Sequence, residues 1–286
     1  MIKIAKAPVR IDFGGGTLDV YPIPSKIGGA VLNVAINKYV RGKLIADKDK
    51  TILSYRADVP TSSGLGTSAA MNLVWISLIS KTKDRIKLAE NVYGLERVLG
   101  VVGGKQDQYA ATLGGINFFE FKKDKVYITK INLKKKIMED LERNLLLCYM
   151  GKPRLSSDVN GLVMNNFNRG NKKTVNSLKN IKAVTYEMKK TLLKGDLMKF
   201  GFLFNEEWKN RKKLHRLITT TKIDKLVKLG LKNGAVGAKL CGAAGGGSIL
   251  YYCNNKNKLR KKLKREKIIN FKFDFDGLKV NGKNFG

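Results

Sequence analysis

The segment Pro60-Thr-Ser-Ser-Gly-Leu-Gly-Thr-Ser-Ala-Ala70 runs without a break into SAAMNLVWISLI, a stretch from Ser68 that is apolar nearly all round. A helix with no polar stripe has to be covered on every side, so this one belongs inside a core. In the loop before it, Gly64 and Gly66 let a ligand approach the backbone closely, and Thr67 and Ser68 add hydroxyls where the helix starts. The N–H groups and dipole of that helix end then make an anion site. The Gly-Lys-Ser/Thr ending of a Walker A loop is absent, and Ala69 stands where a dinucleotide fingerprint needs its third glycine. A glycine loop before a helix also serves as a plain packing device, and this segment alone leaves both readings open.

A chain of 286 residues, 43% of them hydrophobic, can bury such a helix and holds one large or two ordinary domains. Cys148, Cys241 and Cys253 are odd in number and lack CxxC or Cys/His spacing. That speaks against a disulfide framework and a structural zinc site, and for a reducing cytoplasm. The N-terminus MIKIAKAPVR has no apolar signal-peptide core, and the longest greasy stretch, Ala69 to Ile79, is too short to span a bilayer. A soluble cytoplasmic protein without a membrane partner is expected. The charge is unusual: 56 Lys and Arg against 23 Asp and Glu, net +33. Such a field attracts nucleic acid, anionic membrane or phosphorylated small molecules. The basic residues are spread along the chain, however, and no aromatic-interleaved basic motif appears. Lysines filling solvated faces account for them, and no nucleic-acid partner is expected.

Loose alternation over Val31–Ala46 predicts strands, followed by a charged turn and a strand at Thr51–Tyr55. A second helix is predicted near Asp84–Leu99 with Gly100 as its stop, then strands at Gly115–Phe121 and Leu145–Tyr149. In the second half Val175, Leu178, Ile181, Thr185, Met188 and Leu192 mark a long amphipathic helix ending at Gly195. Helices from Met198 to about His215 and from Ile223 to Lys232 follow. Then come strand, glycine loop and strand in AVGAKLCGAAGGGSILYYC, a basic helix at Asn257–Arg265 and a strand at Ile268–Phe273. Interspersed elements without regular βαβ alternation predict an α+β protein in two lobes, with a boundary near Gly151–Pro153.

Three further segments carry chemistry. Arg10-Ile-Asp-Phe-Gly-Gly-Gly-Thr-Leu-Asp19 places an arginine and an aspartate either side of a glycine turn. Arg10 is a candidate phosphate clamp and Asp19 a candidate hydroxyl acceptor, or the two are solvated charges on a surface turn. Gly103-Gly-Lys-Gln-Asp-Gln-Tyr109 sets Asp107 near Lys105. An aspartate so placed can stay ionised and accept a proton, or it can merely cap a helix. Gly242-Ala-Ala-Gly-Gly-Gly-Ser248 has more glycine than a hairpin needs, which favours close approach to a ligand.

Together, in this order, the four segments resemble the GHMP kinase superfamily. PTSSGLGTSAA is similar to its phosphate loop, KLCGAAGGGS to its third motif and APVRIDFGGGTLD to its first. GGKQDQYAATLGGINFFEF is similar to the sugar-kinase branch, which holds heptose 7-phosphate kinases, galactokinases and fucokinases. The later segments NEEWKNRKKL and NGAVGAKLCGAAGGG extend the similarity across essentially the whole chain. The resemblance implies a two-lobed α+β fold. Residues 1–150 would form an ATP-binding domain like ribosomal protein S5, and 151–286 a ferredoxin-like domain. It implies Asp107 as catalytic base, Arg10 beside the transferred phosphoryl group, and sugar contacts from Asp19, Gly15, Gly16, Thr17, Lys105 and Gln106. ATP would lie on Pro60, Ser62, Ser63, Gly64, Leu65, Gly66, Thr67 and Ser68, with Gly242, Gly245 and Gly246 opposite. Magnesium would sit on Ser68 and Glu96.

The implied activity is ATP- and magnesium-dependent phosphorylation of a sugar hydroxyl, the anomeric one of a heptose 7-phosphate being the leading candidate. The alternatives are a kinase of a neutral sugar of galactose or fucose type, and a catalytically degenerate member that binds ligand or nucleic acid. The basic string Lys209, Arg211, Lys212, Lys213 either meets the substrate's own phosphate or is a solvated helix face. His215 is expected mid-helix without a role, and Cys241 as a small packing residue.

Overall fold

The computed structural model describes residues 1–151, 159–242 and 246–283. The first lobe is built on β1 (Ile2–Gly14), a short α1 (Ile23–Ile27) and β2 (Gly29–Ala46), followed by β3 (Thr51–Ala57). Helices α2 (Thr67–Ile79), α3 (Arg85–Val98) and α4 (Gln106–Leu113) come next, then the hairpin β4 (Ile116–Lys122) and β5 (Lys125–Lys130). The antiparallel order is β10-β1-β2-β4-β5, where β10 is Lys279–Lys283. At 18 residues β2 is long enough to pair β1 along one edge while its other edge carries β4 first and β3 beyond it. The β1–β2 register shifts between Pro8 and Val9, where proline has no N–H to give the ladder.

Helix α2 explains its own composition. Sheet strands β1 and β2 cover one side of it and α3 and α4 the other. Ala69, Ala70, Leu73, Val74 and Leu78 are accordingly buried. Asp84 starts α3 by accepting from the N–H groups of Ile86 and Lys87.

After α5 (Lys135–Asn144) the chain enters the second sheet at β6 (Leu145–Tyr149). Then follow α6 (Val159–Asn168), α7 (Lys172–Lys194), α8 (Leu197–Lys212) and α9 (Thr221–Lys232). The lobe is completed by β7 (Ala235–Cys241), β8 (Ser248–Cys253), α10 (Lys256–Lys262) and β9 (Lys267–Ile269). Its antiparallel order β7-β8-β6-β9 is that of the ferredoxin-like β-α-β-β-α-β unit, with several helices in the first crossover. In α7 the expected stripe is buried from Leu178 to Leu192, and Gly195 ends the helix in the left-handed region.

The two sheets do not part at residue 150. Strand β6 already belongs to the second, and the chain returns to the first after Ile269. That return shortens the strand predicted at Ile268–Phe273, because Lys272, Phe273 and Asp274 pair instead with Asn37, Ile36 and Ala35 of β2. His215 lies beyond the end of α8 rather than within it, and its Nδ1 accepts from the N–H of Leu217 at 3.2 Å. The lobes share a core, in which Phe13 of β1 packs edge-on against Phe200 and stacks with Phe204 of α8, at centroid distances of 5.3 and 6.2 Å. The three cysteines are buried and unpaired. Among the described residues no helix is long and apolar enough to cross a membrane.

Candidate active site

A cleft of about 280 Å³ opens between the lobes, bordered by all four glycine-bearing segments. The loop before α2 supplies one wall. Gly64 and Gly66 have φ of 77° and 74°, a region closed to most side chains. Gly66 is the N-cap of α2 and makes no side-chain cap bond, so no side chain screens the helix's first N–H groups. The hydroxyl of Thr67 is turned into the loop, within 3.1 Å of the Ser63 hydroxyl and 3.3 Å of the Pro60 carbonyl it donates to. Pro60 itself does not border the cleft. Leu65 points into the core, and its carbonyl accepts from the Arg10 N–H at 2.9 Å. Ser62, Ser63, Gly64, Gly66, Thr67 and the exposed Ser68 do border it.

The third glycine cluster lies backbone on backbone against this loop. A Cβ on Gly64 would fall 2.3 Å from the Cys241 carbonyl oxygen, and one on Gly242 would fall 2.4 Å from the Gly64 Cα. Ser248 fastens the contact by donating to the Ser63 carbonyl at 2.8 Å. Packing between two protein loops therefore accounts for part of the glycine excess. Gly242 borders the cleft and Gly246 does not, while Gly245 lies outside the described residues.

Arg10, 5% exposed on β1, organises the centre. Its Nε and Nη2 reach Asp107 Oδ1 at 2.8 and 2.7 Å, and its Nη1 donates to the Gly64 carbonyl at 2.8 Å. Burial works against the guanidinium charge, but Asp107 and then Asp12 outweigh it, and the Arg10 pKa is raised. Asp107 is the second residue of α4. The cap position is held by Lys105, so the reading of Asp107 as an N-cap is not what the fold adopts. Its carboxylate lies beside the phosphate loop, since a Cβ on Gly66 would be 3.1 Å from Asp107 Oδ2.

Asp19 is buried and accepts from the Gln106 backbone N–H at 2.9 Å and from its side-chain amide at 3.4 Å. Burial, aided by the charge of Asp107, pushes its pKa to about 6. Gly104 is a glycine because a Cβ there would fall 1.9 Å from Asp19 Oδ2. Gly16 and Thr17 border the cleft; Gly15 instead packs against the Ala30 carbonyl. Lys105 departs from expectation. It faces away from this cleft, with Nζ 2.8 Å from both Glu90 oxygens and 5.0 Å from the Tyr93 ring centre. Residues 105 and 107, two apart at a helix start, do not share a face.

Glu96 of α3 borders the cleft and accepts from the side-chain amides of Asn72, at 2.9 Å, and Gln108. Burial, with the charge of Asp107 adding to it, raises its pKa, a penalty that a bound cation relieves. Among the described residues no three His, Cys, Asp or Glu side chains cluster as a metal cage. Ser68 and Glu96 offer a hydroxyl and a carboxylate at the cleft edge, a set that suits magnesium, which takes few protein ligands and completes its shell with phosphate and water.

Residue-type reasoning missed a buried ionic cluster beneath the cleft. Arg211 of α8 reaches Asp12 Oδ2 at 3.4 Å and donates to the Gly242 carbonyl, while Lys239 of β7 reaches Asp12 Oδ1 at 3.4 Å and Glu207 at 3.2 Å. Burial raises both carboxyls, but Lys239 and then Arg211 pull Asp12 below its usual range; for Glu207 burial prevails. Of the basic string only Arg211 is buried at the cleft, and Lys209, Lys212 and Lys213 are exposed helix-face residues that do not border it. The available signals were spacings: Asp12 is one strand repeat from Arg10, and Glu207 one helical turn before Arg211.

The profile of the GHMP kinases N terminal domain matches residues 31–115, and that of the GHMP kinases C terminal region matches residues 188–268. The chain belongs to the GHMP kinase family. This kinase is 28% identical to the D-glycero-alpha-D-manno-heptose 7-phosphate kinase of Campylobacter jejuni, over 96% of this chain and 97% of that one. It is 26% identical to the bifunctional fucokinase/GDP-fucose pyrophosphorylase of Arabidopsis thaliana, over 71% of this chain but only 20% of that protein. In fold it is similar to a D-glycero-D-manno-heptose 1-phosphate kinase from Bacteroides thetaiotaomicron, with a TM-score of 0.79 at 23% identity and full coverage of both chains. The fold is also that of Lactococcus lactis galactokinase, at a TM-score of 0.75, 16% identity and coverage of 97% of this chain and 95% of that one.

Proposed function

We propose that this GHMP kinase transfers the γ-phosphoryl group of ATP to a sugar hydroxyl, the anomeric hydroxyl of a heptose 7-phosphate. The observation that carries this reading is the Arg10–Asp107 pair held beside Gly66 at the uncapped N-terminus of α2. A fixed carboxylate then stands where the phosphates of a nucleotide would end. The heptose assignment is supported by a relative of that activity that matches this chain nearly end to end.

In this mechanism the N–H groups from Gly64 to Ser68 hold the ATP phosphates, with Gly242 opposite. Ser68 and Glu96 would hold magnesium, which would supply charge neutralisation for the phosphates. Asp107 accepts the proton of the attacking hydroxyl as its oxygen bonds to the γ-phosphorus and the bond to the bridging oxygen breaks, releasing ADP. Arg10 holds that carboxylate in place through two hydrogen bonds, and its positive charge meets the transferring group. Asp19, largely ionised above pH 6, accepts hydrogen bonds from sugar hydroxyls next to Gln106, one residue from the base. The three unpaired buried cysteines accord with a cytoplasmic setting.

The test is phosphate transfer from magnesium-ATP to heptose 7-phosphate, galactose, fucose, mannose, mevalonate and homoserine, with Asp107→Asn alongside. Turnover of the heptose phosphate, lost in the variant while ATP still binds, is expected. Equal turnover in the Asp107→Asn protein, or transfer only to a non-sugar acceptor, would refute the reading.

A further inference from the structure

Asp19 belongs to two clefts. Behind it, on the side away from the phosphate loop, lies a second opening of about 550 Å³ formed by α3, the chain after Asp19 and the β4–β5 hairpin. Helix α3 divides the two. Its Glu96 faces the first cleft, and Glu90, Tyr93 and Arg97, at spacings of three and four, line the second. The hairpin adds Lys123 and Lys125. Two acids besides Asp19 are present. Glu90 is already neutralised, since Lys105 reaches both its oxygens and the Tyr109 hydroxyl donates to it. Asp124 is left against three cations, Arg97, Lys123 and Lys125, none of which has an ion-pair partner among the described residues. The opening is thus net cationic and continuous with the residue placed to hold the sugar.

Resting on the heptose reading above, we propose that this outer cleft takes the phosphate-bearing end of the acceptor, with Arg97, Lys123 and Lys125 as its phosphate contacts. The geometry follows from the ends of the molecule. An acceptor hydroxyl at Asp107 and ring hydroxyls at Asp19 direct the far carbon past Asp19, away from the ATP phosphates and toward the only unneutralised cations next to that carboxylate among the described residues. Two anionic phosphate groups, one on the nucleotide and one on the sugar, are so kept on opposite sides of Asp19. The string Lys209, Lys212 and Lys213 has no such access.

The experiment compares D-glycero-D-manno-heptose 7-phosphate with the same heptose lacking phosphate, in the wild-type protein, Arg97→Ala and the double variant Lys123→Ala/Lys125→Ala. Turnover and direct calorimetric binding are both read, and thermal melting checks folding. Charge-assisted phosphate contacts predict a KM and Kd for the 7-phosphate raised about tenfold or more in each variant, with kcat and the values for the free heptose nearly unchanged. Wild-type turnover of the 7-phosphate with an unaltered ratio in both variants would overturn the subsite alone. Binding of the 7-phosphate that the variants lose, without turnover, would uphold the subsite and sink the kinase reading. A wild-type protein that neither binds nor phosphorylates the 7-phosphate would overturn both.

Discussion

Replacing Asp19 by asparagine should make the ligand-free kinase more stable at neutral pH while weakening its grip on the sugar. The carboxyl is 4% exposed, and burial lifts its pKa from 3.8 to about 6. The folded chain therefore binds this proton more tightly than the unfolded chain does. Stability contributed by the group is intact below pH 3.8 and lost as the pH rises through 6. Two units at about 1.4 kcal/mol each give a cost of about 3 kcal/mol that is fully present at pH 7. Asparagine removes the charge but keeps an oxygen for the Gln106 N–H, and its new N–H₂ can turn to Gln106 Oε1, a buried atom with no partner among the described residues. Urea denaturation of both proteins from pH 4 to 8 reads the effect. The stability gap should be about 0.6 kcal/mol at pH 4, about half its final size at pH 5 and about 3 kcal/mol above pH 6.5. The KM for the sugar should rise about tenfold with loss of an ionised acceptor. An asparagine protein less stable than wild type at every pH, with a gap that does not vary, would refute the account of Asp19 as a carboxylate held at a cost to stability.

Arg10→Lys keeps one charge but loses the fork that grips Asp107 and Gly64 together, so kcat should fall by about 10²–10³ with little change in sugar KM; steady-state kinetics decides it. Glu96→Gln should shift the magnesium requirement up by about tenfold or more at saturating ATP, measured by metal titration of the rate. Its fold should hold, because Gln108 can turn its unpartnered Oε1 to the new amide. Lys239→Met leaves Asp12 and Glu207 short of a buried cation and should cost about 3–5 kcal/mol in urea unfolding; a loss below about 1 kcal/mol would show that the cluster does not stabilise the lobe contact.

Much of the fold was legible where burial is one-sided or total over a helix's length. The stripe from Leu178 to Leu192 and the nearly all-round apolar surface of α2 both translated into packed helices, α2 leaving Ser68 and Ile79 exposed at its ends. Strand β1 escaped because its C-terminal half is buried on both faces and so shows no alternation. Strand β5 escaped for the opposite reason, having no buried residue to set a period, and helix α5 because its apolar stripe, Ile137, Met138 and Leu141, spans little more than one turn. Strand β10 lies at the sheet edge, where pairing with β1 rather than side-chain pattern defines it.

The candidate site divides in the same way. Arg10, Asp19, Gly64, Gly66, Ser68 and Asp107 were singled out by residue type and local spacing, because an anion loop needs glycines next to a helix start and phosphoryl transfer needs a carboxylate and a cation; Glu96 was singled out only by the resemblance to the GHMP kinases. Which of these meet is a matter of long-range contact: Arg10 finds Asp107 97 residues away, and Asp19 finds Gln106 87 residues away. Lys105 looked equivalent to Asp107 in the chain, yet helical rotation turns it to Glu90. Arg211 stood in a basic string that read equally as a substrate-phosphate contact or a solvated helix face, yet the return of the second lobe onto β1 buries it against Asp12. Local sequence sets backbone freedom, periodicity and chemical type, all short-range properties. The direction in which a charge points, whether it is neutralised, and which cleft it serves are fixed by the partners that tertiary packing brings to it.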